Sequence, residues 1–333
     1  MSRVAVLGAG SWGTALATHL ARAGRSVRLW ARDEALAAQM STTRVNASYL
    51  PGIELPRGLV PATSLSAALE DAQFVVVAVP SHGMRAVVRQ AVPFIAPRAC
   101  LVSAAKGLEA HSLRRMSQVI EEETAARFPV VVLSGPSFAA EVARGLPAAV
   151  LAASADESAV AGVQEEFRGP GLRLYASDDV PGVEIGGALK NVIAIAAGVV
   201  EGIGLGHNAM AALITRGLAE ISRLACAEGA RRETLAGLSG LGDLVVTCTG
   251  SLSRNRHVGL ELGKGRKLTE ILAGMYMVAE GVRTTDAALA LGARHQLELP
   301  ITAQMSAVLA GHCSPLEAVD TLMGRRQRAE VDG

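Results

Sequence analysis

Val4-Ala-Val-Leu-Gly-Ala-Gly-Ser-Trp-Gly13 is the stretch on which the fold turns. Four apolar residues, two of them β-branched, predict a short buried strand, and glycines follow it at once. Beyond Gly13 a helix-length segment runs to Gly24, which can end it. Strand, glycine turn and helix in that order are the context in which Gly-x-Gly-x-x-Gly holds a dinucleotide. The three glycines have different work. Gly8 permits the tight turn, Gly10 lets the backbone approach a pyrophosphate, and Gly13 allows the helix to pack close on the strand, with the helix N-terminus facing the phosphates. Ser11 and Trp12 ride on the same turn and are expected to touch the cofactor.

Outward from that turn, short apolar runs alternate with helix-length stretches to about residue 180. The runs are Val4 to Leu7, Val27 to Trp30, Phe74 to Val79, Cys100 to Ala104, Val130 to Leu133, Ala149 to Ala152 and Leu172 to Tyr175. Several are apolar at every position, as parallel strands covered on both faces are, so the expected class is α/β with a Rossmann-like, doubly wound sheet. After about residue 183 helical periodicity takes over. In Ala209 to Glu228, Ile214, Leu218, Ile221 and Ala225 recur at helical spacing, with Asn208 read as the start cap and Gly229 as the end. Val192 to Val200 is apolar all round, which predicts a helix at a domain junction or a subunit interface and makes a homodimer plausible. Asp178 to Gly182, with its Pro and Gly, is the candidate boundary between a dinucleotide domain at 1–182 and an all-helical domain at 183–333. The polar tail from Arg325 to Gly333 is expected to fray.

Composition narrows the function. Of 333 residues half are apolar and 19% charged, and 32 basic against 31 acidic side chains leave a net charge of +1. That balance argues against nucleic acid as a partner. With 2 Trp, 3 Tyr and 5 Phe there are few platforms on which to stack bases. No uninterrupted apolar run approaches the ~18 residues of a membrane span. The strand-like run begins at Val4, which leaves no room for a leader, so a cytoplasmic location is expected. Cys100, Cys226, Cys248 and Cys313 form no Cys-x-x-Cys pair, and His207, His257, His295 and His312 are solitary, so no metal is expected.

The second strand ends Trp-Ala-Arg32-Asp33. Arg32 could meet the 2′-phosphate of NADP while Asp33 keeps NAD possible, so NADPH is the expected preference. At later strand ends stand Val79 to His82, Ala104 to Gly107 and Ser134 to Phe138, which an open α/β sheet gathers at one crevice. Lys106 can there attract a substrate oxygen or phosphate, and Ser137, with the backbone around Gly135, can offer donors to a ligand or cap a helix. Lys190 lies inside the most apolar stretch of the second half, where a charge is costly unless paired or used. Burial would lower its pKa toward working pH, which suits a group that gives a proton to, and takes it from, an alcohol oxygen during hydride transfer. Asp243, between Gly and Leu, is a candidate to orient Lys190 or to meet a substrate hydroxyl. Ser253, Arg254 and Asn255 suit a phosphorylated substrate, Arg254 with a bidentate fork.

In order, Gly-Ala-Gly-Ser-Trp-Gly-Thr-Ala (8–15), Val-Pro-Ser-His (79–82), Ala-Lys-Gly-Leu-Glu (105–109), Ser-Gly-Pro-Ser-Phe (134–138), Lys-Asn-Val-Ile-Ala-Ile (190–195), Gly-Leu-Gly-Asp-Leu-Val-Val-Thr-Cys-Thr (240–249), Ser-Arg-Asn-Arg (253–256) and Val-Ala-Glu-Gly (278–281) resemble the blocks of the bacterial-type NAD(P)+-dependent glycerol-3-phosphate dehydrogenases. The resemblance runs from Val4 to about Gly324. It implies reversible hydride transfer between NAD(P)H and dihydroxyacetone phosphate, giving sn-glycerol 3-phosphate for glycerophospholipid synthesis. By resemblance, Ser11, Trp12, Arg32, Lys106, Ala139, Arg254, Val278 and Glu280 bind the cofactor. The substrate falls to Lys106, Gly135, Ser137, Lys190, Asp243, Ser253, Arg254 and Asn255, with Lys190 as proton acceptor and Lys106 and Asp243 beside it in the catalysis. Two alternatives stand beside it: another two-domain dehydrogenase acting on a hydroxyacid such as 6-phosphogluconate, and a dinucleotide-binding redox sensor without chemistry.

Overall fold

The structure, a computed structural model, describes residues 2–275, 277–327, 329 and 330. Strand and helix alternate through β1 (Arg3–Leu7), α1 (Ser11–Arg22), β2 (Ser26–Trp30), α2 (Glu34–Thr43), β3 (Val45–Asn46), β4 (Leu50–Glu54), β5 (Leu59–Ala62), α3 (Leu65–Leu69) and β6 (Phe74–Val77). The series continues through α4 (Met84–Ala91), β7 (Cys100–Ser103), α5 (Met116–Thr124), β8 (Val130–Ser134), α6 (Ala139–Arg144), β9 (Ala148–Ala153), α7 (Glu157–Glu166) and β10 (Leu172–Ser177). β3 and β4 pair in a separate hairpin, and the other eight strands form one sheet in the order β10-β9-β8-β7-β6-β1-β2-β5. Its order reverses between β1 and β6, the switch point at which such sheets bind ligands outside the strands' carboxyl ends.

The uniformly apolar β1 is explained by its two covered faces. Val4 and Val6 pack toward Leu16 and Leu20 of α1. Ala5 and Leu7 pack on the opposite face with Val75, Val77 and Met84. Two features differ from the sequence expectation. β9 runs antiparallel to β8, with Leu133 opposite Ala152, so the sheet is not wholly parallel. The connection between them holds only the six-residue α6, which packs on α1 near the crevice and returns the chain at the same end of the sheet. β5 and the β3–β4 hairpin also lie outside the expected runs. Pro61 in β5 masks a strand that the sheet edge tolerates.

The second half is helical: α8 (Val180–Ile203), α9 (Gly206–Ala227), α10 (Arg232–Leu235), α11 (Asp243–Thr249), α12 (Arg254–Gly263), α13 (Leu268–Ala273), α14 (Glu280–Arg294), α15 (Pro300–Leu309) and α16 (Pro315–Met323). The Pro and Gly of Asp178 to Gly182 do not break the chain but make the first turn of α8, where Asp179 accepts the Gly182 N–H at 2.9 Å. A proline fits there because the first-turn N–H groups have no partner within the helix. Asn208 does not cap α9, which begins two residues earlier at Gly206. Gly229 does follow its end, at φ +91°. Of the tail expected to fray, Arg328 and residues 331–333 lie outside the described residues.

α8 is the spine of this half. Every residue from Gly182 to Val200 is buried, with α9, α11, α12 and α14 packed around it. A Cβ on Gly198 would stand 2.0 Å from the Arg256 carbonyl, and one on Gly259 would stand 1.8 Å from that of Ile195. α8 and α12 therefore cross backbone to backbone. By length and composition α8 could span a bilayer, contrary to the expectation from run length, yet it is wholly buried inside the protein. Its Val192 to Val200 stretch is covered by the chain's own helices, which removes the ground on which a homodimer was expected.

Candidate active site

At the carboxyl end of β1 the glycines take the shapes their positions call for. Gly8 adopts φ +114°, and a Cβ there would meet the Ala78 carbonyl oxygen at 2.8 Å. A Cβ on Gly13 would lie 1.9 Å from the Gly8 oxygen, so only glycine lets α1 sit this close to the turn. Gly10, by contrast, has open space where a side chain would begin, and it heads α1 with no side-chain cap. A twelve-residue helix whose first N–H groups meet no capping side chain, behind an open glycine, is a cradle that fits a dinucleotide pyrophosphate. The Ser11 hydroxyl donates to the Tyr49 carbonyl at 2.7 Å, and Trp12 packs against Leu50 and Ile53. Asp33 is spent as the cap of α2, accepting from the Ala35 and Leu36 N–H groups. Arg32 beside it is exposed. Burial, then Arg283, and more weakly Arg32 hold the His82 imidazole below its ordinary pKa against Glu280, so two cations stand around this rim of the crevice.

Past the carboxyl ends of β7 and β8, where they meet α8 and α11, lies an ion triad. Asp243, 1% exposed at the head of α11, accepts Lys190 Nζ on Oδ1 and Lys106 Nζ on Oδ2 at 2.6 Å. Lys106, just beyond β7, also donates to the Gly135 carbonyl at 2.9 Å, and that carbonyl takes the Ser137 hydroxyl at 2.8 Å. Lys190 is 6% exposed in the middle of α8, so it is not a lysine snorkelling from a helix end. Its pKa is lowered to about 7, by burial above all and further by Lys106, while Asp243 opposes the fall. Two ammoniums sharing one carboxylate cannot both be neutralised by it. An ammonium poised near neutrality is what a proton donor and acceptor requires.

Other expected residues are placed less freely. Ser253 caps α12, accepting the Arg256 N–H at 3.2 Å, and Arg254 follows it, exposed. Asn255 is buried and engaged: its amide donates to Asn191 Oδ1 at 2.9 Å and its oxygen accepts the Gly281 N–H at 2.9 Å. It ties α12 to α8 and α14. Ser137 does not cap α6, whose N-cap is Phe138, and Ala139 begins that helix. Glu280, at the start of α14 after the half-buried Val278, accepts from Ser81 N–H at 3.1 Å and Ser81 Oγ at 2.7 Å. This contact joins the helical half to the loop after β6.

Sequence reasoning missed Thr247, which accepts from Lys190 Nζ at 2.8 Å. Its spacing of four from Asp243 on one helix was the available signal. It also missed Asn191 and the hairpin residues Asn46 and Tyr49, which reach the glycine turn without any motif of their own.

Comparison with known proteins shows the family of the chain. The N-terminal family model of NAD-dependent glycerol-3-phosphate dehydrogenase matches residues 3–160, and the C-terminal one matches residues 179–320. The chain belongs to the NAD(P)+-dependent glycerol-3-phosphate dehydrogenases. It is 53% identical to the glycerol-3-phosphate dehydrogenase [NAD(P)+] of Koribacter versatilis over 99% of each chain. That of Geobacter sulfurreducens is 52% identical over 98% of each. The crystal structure of glycerol-3-phosphate dehydrogenase from Coxiella burnetii superposes with a TM-score of 0.94 at 42% identity, covering 97% of this chain and 99% of that one. As a glycerol-3-phosphate dehydrogenase the chain is an oxidoreductase acting on a CH–OH group, and the hydroxyacid and sensor alternatives fall away.

Proposed function

We propose that this dehydrogenase reduces dihydroxyacetone phosphate reversibly to sn-glycerol 3-phosphate for glycerophospholipid synthesis, between a dinucleotide domain at 1–182 and a helical substrate domain at 183–333. The observation that carries the proposal is the Lys106–Asp243–Lys190 triad, at the same strand-end edge of the sheet as the open glycine turn. Gly8, Gly10, Ser11, Trp12, Gly13, Arg32, Ala139, Val278 and Glu280 hold the dinucleotide. Lys106 and Arg254 serve both ligands, and Gly135, Ser137, Lys190, Asp243, Ser253 and Asn255 meet the substrate. When bound, the reduced nicotinamide supplies the hydride that reaches the carbonyl carbon. Lys190 Nζ gives its proton to the carbonyl oxygen as charge develops there, and takes it back in alcohol oxidation. Asp243 orients Lys190, and Lys106 adds positive charge facing the oxygen or the phosphate. Arg32, exposed beside the crevice and with Arg283 near, supports NADPH as the preferred donor. The complete burial of α8 supports a core helix and not a membrane span.

Loss of reduced-nicotinamide absorbance on adding dihydroxyacetone phosphate, with NADPH and NADH in parallel, tests this for the wild type and for Lys190→Ala. Turnover should collapse in the variant while dinucleotide binding persists. Near-normal turnover without the lysine would defeat the assignment of its role.

A further inference from the structure

Beneath the glycine turn lies a polar side chain that the hydride chemistry does not touch. Asn46, at the end of β3, is 0% exposed. Its amide nitrogen donates to the Ala9 carbonyl at 2.8 Å and to Thr14 Oγ1 at 2.8 Å, while its Oδ1 accepts the Tyr49 N–H at 3.1 Å. Both amide hydrogens and the oxygen are used. Only one orientation of the amide serves, because the Ala9 oxygen can only accept and the Tyr49 N–H can only donate. The same hairpin holds the turn at a second point, where the Tyr49 carbonyl accepts the Ser11 hydroxyl.

The consequence follows from the planarity of the peptide. Ala9 and Gly10 share a trans unit, so an Ala9 carbonyl held by Asn46 fixes the Gly10 N–H on the opposite edge of that unit. Glycine flanked by glycine-rich backbone would otherwise sample many orientations there. We propose that Asn46 is a positioning residue for the dinucleotide, one that holds the Ala9–Gly10 peptide and the first turn of α1 in their receiving shape before the cofactor arrives. The proposal rests on the dinucleotide lying at the glycine turn. Ordering done in advance does not have to be done on binding, so its loss should appear as weaker affinity and not as a slower chemical step.

Asn46→Ser and Asn46→Asp test this by calorimetric titration of the apoenzyme with NADPH, beside its melting midpoint and amide hydrogen exchange of residues 8–14. Asp keeps the shape and sets an oxygen against the Ala9 carbonyl. We expect NADPH affinity to fall about tenfold, exchange in the turn to quicken, and kcat at saturating NADPH to stay within about twofold of wild type. The KM for dihydroxyacetone phosphate should not move. Folded variants that bind NADPH as wild type does, or that lose kcat and both KM values together, would overturn the proposal. If neither variant folds, Thr14→Val removes one partner of the amide and should weaken NADPH about threefold, and unchanged affinity there would overturn it equally. Gly10→Val separates this idea from its premise. Normal NADPH binding in that variant means the dinucleotide lies elsewhere, whereas loss there with intact binding in the Asn46 variants rejects the positioning role alone.

Discussion

Asp243→Asn should stop catalysis while leaving the protein folded, and the triad geometry says why. Each carboxylate oxygen takes one ammonium in a site 1% exposed. Asparagine keeps the shape but offers one acceptor oxygen, and its NH2 faces a cation. Removing one partner of a buried ion pair ordinarily costs about 3–5 kcal/mol. Here a cheaper response exists, because the Lys190 pKa is already lowered to about 7, with Asp243 the main contribution holding it up. Without that carboxylate Lys190 sheds its proton, and a group titrating near pH 7 does so at neutral pH for under about 1 kcal/mol. We therefore expect a stability loss of about 1–2 kcal/mol, or roughly 2–8 °C in melting midpoint. On the proposed mechanism the larger loss falls on ketone reduction, which no longer has the Lys190 ammonium to protonate the oxygen, and a general acid contributes about 10²–10⁴ in rate. Stopped-flow rates for dihydroxyacetone phosphate reduction across a pH series should fall by about a thousandfold at neutral pH, with the inflection moved to lower pH. A variant within about threefold of wild type, its inflection unmoved, would refute the reasoning.

In the wild type, reduction should decline and alcohol oxidation should rise as pH climbs through about 7, since one needs the Lys190 ammonium and the other the amine. Opposite limbs that fail to cross there would point to another proton carrier. The same depressed pKa has a stability consequence. The unfolded chain binds the extra proton between about 7 and the ordinary 10.5, so this lysine's burial penalty is full below that window and is relieved as pH rises through it. Lys190→Met should remove that gain, which chemical denaturation at the two ends of the window can measure. Gly13→Ala would place a Cβ 1.9 Å from the Gly8 oxygen. The forced shift of α1 should weaken NADPH about a hundredfold, and wild-type affinity by titration would contradict the packing role. Arg32→Ala should lower selectivity for NADPH over NADH about tenfold, whereas an unchanged ratio of kcat/KM values would show that Arg32 plays no part in it.

What sequence alone determined here is local. The strand–glycine–helix unit at Val4 to Gly13 is legible because its periodicity and its φ requirements lie within ten residues. Lys190 is legible because a charge amid Leu, Val and Ile needs a reason. The family blocks extended that reading to the substrate. What only the tertiary structure decided is pairing at a distance. Asn46 reaches Ala9 across 37 positions, and Glu280 reaches Ser81 across 199, with no spacing to announce either. The reversed direction of β9 came from where α6 packs, and the apolar face of α8 was closed by α12 at glycine contacts that neither helix reveals by itself. Hydrophobic period says that a face will be buried. Which partner buries it depends on shape and volume across the whole chain, and these exist only once the chain has folded.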